Sequence, residues 1–163
     1  MRALYPGTFD PVTYGHIDLI RRALKIFGRV LVAVAHNPAK GPLFTVEERV
    51  ALLKQATRGL RGVTVTDFDS LVVDYARRQG IRTVLRGMRM VSDFEYEFQM
   101  ALTNRKLSNQ VETMFLMPSE SHAYVSARLI KEAAVLGANL SAFVPRFVET
   151  ALKRKLASAG AVR

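Results

Sequence analysis

The stretch Tyr5-Pro6-Gly7-Thr8-Phe9-Asp10-Pro11-Val12-Thr13-Tyr14-Gly15-His16 decides how this chain is read. Ala3–Tyr5 is a short apolar run of strand character. Beyond the stretch, Ile20, Ala23, Leu24 and Phe27 fall at i, i+3, i+4 and i+7, the stripe of a buried helix face, and Gly28 follows where a helix-ending glycine belongs. The quoted residues therefore carry the chain from a strand into a helix, through a loop shaped by two glycines and two prolines. A helix start presents unpaired backbone N–H groups and partial positive charge, so a phosphate placed there is stabilised without any side chain. His16 would face that phosphate, either donating from a neutral imidazole or supplying charge when protonated. A lone histidine at a helix start is also an ordinary surface residue, and spacing alone does not separate the two readings.

The same alternation continues outward. Val30–His36, Val63–Phe68, Arg82–Arg86 and Thr113–Met117 are further strand candidates, each followed by loop signals. Thr45 and Glu48 have capping-box spacing, with Val46, Val50 and Leu53 as the buried stripe of the second helix. A third helix runs over Ser70–Gln79 and closes at Gly80, and Phe94, Phe98, Ala101 and Leu102 line a fourth. Ser126 can cap a fifth that ends before Gly137, and Pro145 suits the start of a sixth. Strand and helix in strict alternation argue for one α/β domain over residues 1–163. Its architecture is a Rossmann-like, doubly wound, five-stranded parallel sheet with helices on both faces and helices at the C-terminal end. Such sheets bind ligands at the carboxyl ends of their strands, which places the chemistry in the loops Pro6–Gly15, Asn37–Phe44, Gly87–Asp93 and Pro118–Val125.

Composition narrows the function. With 49% hydrophobic and 23% charged residues, the chain is ordinary for a globular domain. The absence of cysteine excludes a disulfide framework, a thiolate zinc site and a cysteine nucleophile together. No apolar run approaches the roughly 20 residues that span a bilayer, and Met1–Pro6 lacks the layout of a signal peptide, so a cytoplasmic protein without a membrane partner is expected. The formal net charge of +10 invites polyanions, whether nucleic acid or small phosphate-bearing reactants. Zinc-finger spacing, an RNP-like aromatic motif and a basic run of five or more are all missing, so nucleic acid is not the expected partner.

Tyr5–His16 resembles the first signature of the nucleotidylyltransferase superfamily, G-T-F-D followed by a G-H pair. More narrowly it resembles the phosphopantetheine adenylyltransferases. Relatives acting on nicotinamide mononucleotide or glycerol phosphate carry H-x-G-H, whereas this chain reads Thr13-Tyr14-Gly15-His16. The resemblance extends through Asn37-Pro38-Ala39-Lys40, Phe44-Thr45-Val46-Glu47-Glu48-Arg49, Arg86-Gly87-Met88-Arg89 and Asp93-Phe94-Glu95-Tyr96-Glu97, and so covers nearly the whole chain. It implies transfer of AMP from ATP to 4′-phosphopantetheine, giving dephospho-coenzyme A and pyrophosphate. It also implies Mg²⁺ as cofactor, a homohexamer, and inhibition by coenzyme A.

Carried over residue by residue, the resemblance implies that Thr8, Lys40, Val72 and Arg86 contact phosphopantetheine. Thr8, Phe9, His16, Gly87, Met88, Arg89 and Glu97 would contact ATP, together with the segment His122, Ala123, Tyr124, Val125, Ser126, Ala127 and Arg128. His16, Thr8, Lys40 and Arg86 would carry the catalysis. The residues themselves support much of this. Arg86 follows an apolar strand, where an unpaired guanidinium is costly, so it needs a bound anion or a buried carboxylate. Lys40, between Pro38 and Pro42, suits a phosphate but also plain solvent, and Val72 suits the core equally well.

Two positions depart from the family pattern. The second superfamily signature, I-S-S followed by serine or threonine, here reads Val125-Ser126-Ala127-Arg128. Ser126 remains to cap the helix, while Arg128 either meets the triphosphate or points to solvent. His122 stands where relatives have a bulky aromatic residue. The chemistry needs no general base, because a phosphate monoester has its second pKa near 6 and is largely a dianion at neutral pH. In-line attack on the α-phosphorus would then be driven by positioning and charge stabilisation. Mg²⁺ would bridge phosphate oxygens without a dedicated cage of protein ligands.

Overall fold

A computed structural model of the chain describes residues 1–158 and Gly160. Five parallel strands, β1 (Arg2–Gly7), β2 (Arg29–Ala35), β3 (Val63–Phe68), β4 (Thr83–Gly87) and β5 (Glu112–Leu116), lie in the order β3-β2-β1-β4-β5. The helices are α1 (Tyr14–Phe27), α2 (Val46–Ala56), α3 (Val72–Arg78), α4 (Val91–Leu107), α5 (Glu120–Ala123), α6 (Ala127–Val135) and α7 (Arg146–Ser158). A single 3₁₀ turn covers Pro38–Lys40. The chain builds outward from β1 to β3, returns, and builds outward the other way through β4 and β5. The reversal falls between β1 and β4, which opens a crevice at Gly7 and Gly87.

Alternation along each central strand divides the core in two. Ala3 and Tyr5 of β1 and Val30, Val32 and Val34 of β2 pack with Ile17, Ile20 and Phe27 of α1, Leu53 of α2 and Leu152 of α7. Leu4 of β1 with Leu31 and Ala33 of β2 points the other way, onto Val73 and Ala76 of α3. Both faces of the sheet are thus covered, which is why these strands read as near-continuous Val, Leu and Ala.

The helix ends follow their expected chemistry. Thr13 and Thr45 each cap a helix with both halves of a capping box formed. Gly28 closes α1 in the left-handed conformation with φ of 70°. Three expectations need correction. Ser126 does precede α6, but its side chain makes no capping hydrogen bond. The four-residue α5 and the 3₁₀ turn are absent from the periodicity reading, because neither is long enough to show a period. Third, α4 turns its expected stripe outward: Phe94, Phe98 and Leu102 are about half exposed, and its buried residues are Glu97 and Asn104. Its inner face is polar because it lines the crevice, not the core. Among the described residues no helix is long and apolar enough to cross a membrane.

Candidate active site

A cleft of about 1050 Å³ opens over the carboxyl ends of the strands, where the switch point places it. Its floor is the β1–α1 loop. Phe9 adopts a positive φ of 50°, uncommon for a residue with a side chain. Its ring is buried, edge-on to Tyr5 at 5.4 Å and to His16 at 5.0 Å between centroids. A Cβ at Gly7 would lie 2.9 Å from that ring, so position 7 takes glycine for want of space. The strained turn is held from behind by Arg49 of α2. This buried guanidinium donates to the carbonyls of Thr8 (2.9 Å), Ala35 (2.9 Å) and Phe44 (3.1 Å), and meets no carboxylate among the described residues.

His16 occupies the third helical position of α1, where a capping box ordinarily has glutamate. The Thr13 N–H donates to its Nδ1 at 3.0 Å. Nδ1 is therefore an acceptor, so the ring proton resides on Nε2, which has no partner among the described residues. Burial, aided by the Arg89 guanidinium, lowers its pKa to about 4. The imidazole is neutral at physiological pH and offers one N–H donor. Of the two forms His16 can take, the structure favours the neutral one.

Arg86 at the end of β4 is clamped by Glu97 of α4 through two hydrogen bonds, Nε to Oε2 at 2.8 Å and Nη2 to Oε1 at 2.7 Å. Burial works against its charge, but the Glu97 pair outweighs that and holds the guanidinium above its ordinary pKa. Of the two partners the sequence allowed Arg86, a bound anion or a buried carboxylate, the carboxylate is present. A third guanidinium hydrogen bond reaches the Pro6 carbonyl at 3.2 Å and ties β4 to the β1 loop. Arg89 joins the first turn of α4 to the segment before α6, with Nε 3.3 Å from Asp93 Oδ2 and Nη1 donating to the Val125 carbonyl at 3.0 Å. Lys40 is exposed at the cleft edge and pairs with no acidic side chain among the described residues.

Most of the residues singled out from sequence border this one cleft: Thr8, Phe9, His16, Lys40, Val72, Arg86, Gly87, Arg89, His122, Val125, Ser126 and Ala127 among them. Glu97 does so from beneath Arg86. Val72 serves both readings, lining the cleft and packing against the Leu4–Leu31 face of the core. Arg128 reaches the rim but is 87% exposed and pairs with Glu132 at 3.0 Å. Met88, Ala123 and Tyr124 do not border the cleft. Met88 donates its N–H to the Leu116 carbonyl, and Tyr124 packs edge-on to Phe143. His122 stacks on Tyr14 at 6.1 Å, and its buried Nδ1 has no partner among the described residues.

Sequence reasoning missed two features of the cleft. Asn104 of α4 lines it, buried, with its amide nitrogen unsatisfied. Asp10, also buried, accepts from the backbone N–H groups of Leu43 and Phe44 and from Lys131 of α6. The one sequence signal for Asn104 is its spacing seven residues after Glu97, two turns along the same face of α4 and off the Phe94–Phe98 stripe.

Three of the carboxylates that line the cleft are already paired with cations, Asp10 with Lys131, Glu97 with Arg86 and Asp93 with Arg89, while Asp69 at its edge has no cation partner among the described residues. The donor set suits a Mg²⁺ ion carried by substrate phosphate oxygens and water, which needs no protein carboxylate of its own.

Residues 4–159 match the sequence profile of the cytidylyltransferase-like family. Among curated proteins, the chain is 53% identical to the phosphopantetheine adenylyltransferase of Caldanaerobacter subterraneus, over 94% of this chain and 96% of that one. It is 54% identical to the Anaeromyxobacter dehalogenans enzyme of the same name, over 94% of both chains. With the Gloeobacter violaceus enzyme the identity is 52%, over 98% of this chain and 99% of that one. Among solved structures, a nicotinate-nucleotide adenylyltransferase candidate from Vibrio parahaemolyticus superposes with a TM-score of 0.68 at 19% identity, over 98% and 93% of the two chains, which supports the fold. Identity of this order over nearly full length leaves one assignment: the chain belongs to the phosphopantetheine adenylyltransferases.

Proposed function

We propose that the chain carries out its family's reaction, transfer of AMP from ATP to 4′-phosphopantetheine with release of dephospho-coenzyme A and pyrophosphate, by direct in-line displacement. The observation that carries this reading is the neutral His16, whose free Nε2–H borders a cleft rimmed by Lys40, Arg86 and Arg89. The cleft offers cations and donors, and its neutral imidazole has Nδ1 already engaged. Such a set suits two phosphate-bearing reactants, one of which is already a nucleophile.

In this reading Lys40 and the solvent edge of Arg86 hold the acceptor phosphate. The Asn104 amide, which also lines the cleft and is unsatisfied among the described residues, suits an amide of the pantetheine arm. Thr8 and His16 receive the α-phosphate, and Arg89 with the start of α6 receives the leaving phosphates. Mg²⁺ bound to the triphosphate would neutralise part of its charge. Coenzyme A shares the pantetheine arm with the acceptor, so it would compete for the same cleft. The setting is cytoplasmic.

The chain would act as a homo-oligomer, a hexamer by family resemblance. Exposed Phe94, Phe98 and Leu102, with Val91 at 91% exposure, leave α4 an apolar outer face of the kind that contacts between copies cover.

Pyrophosphate release measured with a panel of phosphate acceptors tests the reaction. Release should require ATP, Mg²⁺ and phosphopantetheine together. Equal or greater activity with nicotinamide mononucleotide would overturn the acceptor.

A further inference from the structure

An acidic side chain on the floor of a cleft built for two polyanions works against the site unless its charge is used. Asp10 is such a residue, buried in the β1–α1 loop two positions from Thr8. Its Oδ1 accepts from the Phe44 N–H at 2.9 Å, and its Oδ2 accepts from the Leu43 N–H at 2.9 Å and from the ammonium of Lys131. These partners belong to two segments far apart in sequence. Leu43 and Phe44 end the loop that presents Lys40, and Lys131 stands one turn into α6, whose first residues border the triphosphate side of the cleft.

The structure assigns Asp10 and Lys131 as a positioning pair that fixes the acceptor-side loop and the ATP-side helix α6 to the same carboxylate, and so sets the distance between the two reactants. Because the carboxylate is spent on three donors, little of its charge remains to repel phosphate. Displacement rates fall steeply when reacting atoms are misplaced, by as much as about 10²-fold for 1 Å, so a link of this kind acts on turnover more than on affinity. The assignment rests on the proposed reading of Lys40 and α6. Failure of that reading would show separately, as wild-type protein that releases no pyrophosphate with phosphopantetheine.

A double-mutant cycle on pyrophosphate release tests it, with Lys131→Met, Lys131→Arg, Asp10→Asn and the Asp10→Asn/Lys131→Met pair, beside calorimetric titration of ATP and thermal melts. Lys131→Met should lower kcat by about tenfold or more while ATP affinity moves less than about threefold, and Lys131→Arg should restore most of the loss. The double variant should be no slower than Asp10→Asn alone, because each partner acts only through the other. Multiplying losses in the cycle, or a Lys131→Met defect confined to ATP affinity, would make Lys131 a direct phosphate ligand and overturn the pairing. A lowered melting point with unchanged kcat would reduce it to a structural bond. If Asp10→Asn does not fold, the split between kcat and affinity in the two Lys131 variants decides alone.

Discussion

The backbone N–H of Thr13 points at Nδ1 of His16 from 3.0 Å, while the Thr13 hydroxyl accepts from the His16 N–H at 3.3 Å. One residue thus caps the helix and selects the tautomer of its neighbour three positions on. The bond occupies the nitrogen that would otherwise take a proton and leaves Nε2–H for a ligand.

A first consequence concerns pH. Burial and Arg89 hold His16 at about 4, below the ordinary histidine value, so the folded state binds the proton less readily than the unfolded chain. The sign follows: this stabilising contribution is complete above the unfolded value near 6.5 and is lost as pH falls from there toward 4. NMR titration of the imidazole should place its midpoint near 4, and activity should show no His16 ionisation near neutrality. A fall in turnover around pH 6 would instead report the acceptor phosphate leaving its dianion form. A His16 midpoint above 6 would refute the neutral assignment.

Thr13→Ala should separate capping from catalysis. Loss of a threonine cap costs about 1 kcal/mol, and for a chain of 163 residues that lowers Tm by about 2–4 °C. The Thr13 N–H survives the change, so Nδ1 keeps its donor and kcat should fall much less than when His16 itself is removed. Steady-state kinetics and a thermal melt of the variant check both halves.

Arg86 and Glu97 bind each other as well as line the cleft, which changes what their substitution reports. Arg86→Ala leaves a buried carboxylate without its partner, and breaking a buried pair costs about 3–5 kcal/mol. Arg86 keeps some contact with solvent, so the low end applies, a drop of about 6–12 °C in Tm. Arg86→Met with Glu97→Gln should recover much of that stability while acceptor binding stays weak. Calorimetry with phosphopantetheine, compared with ATP, separates a lost substrate contact from a softened fold.

The outer face of α4 offers a test of assembly. Phe94 and Phe98 stack at 5.5 Å with 12° between their planes, both about half exposed. Phe94→Glu/Phe98→Glu adds charge to this face without touching the buried Glu97 side. The wild-type chain should run as an oligomer in light scattering and the variant should shift toward single protomers, still folded by circular dichroism.

Much of the fold was legible because it is local. The expected strands overlap the observed ones to within a residue or two at most ends, and the capping signals at Thr45 and Gly28 mark real boundaries. The strand order β3-β2-β1-β4-β5 needs long-range pairing, and the topology rules supplied its type but not its sequence. At the site, loop motifs led to Thr8, His16, Arg86 and Arg89, since special backbones leave glycine and proline behind. Some partners are local, as Thr13 is to His16 and Asp93 to Arg89, but others are not fixed by local spacing: Arg86 pairs with Glu97 11 positions on, and Lys131 with Asp10 across 121. The orientation of α4 was not legible either, because helical spacing shows a stripe and not which way it faces.

The heaviest test falls on His16. In the proposed reaction the His16 Nε2–H would stabilise charge that grows on the α-phosphate as the P–O bond breaks, so its removal should act on the transition state more than on bound ATP. Losing one preorganised donor typically costs about 10²–10³ in kcat, which is the expected effect of His16→Ala. ATP affinity should change less than about threefold, well inside that range. The ring also packs edge-on to Phe9 and accepts the Thr13 N–H, so a loss of about 1 kcal/mol in stability accompanies the substitution. His16→Asn divides the two effects, because an amide can offer a neutral donor near the same place without an imidazole's basicity. It should recover at least tenfold of the turnover lost in alanine, a sizeable share of one donor's worth. If alanine and asparagine variants turn over alike, within about threefold of wild type, and differ from it only in thermal stability, then His16 serves the loop and the rate enhancement comes from Lys40 and the arginines.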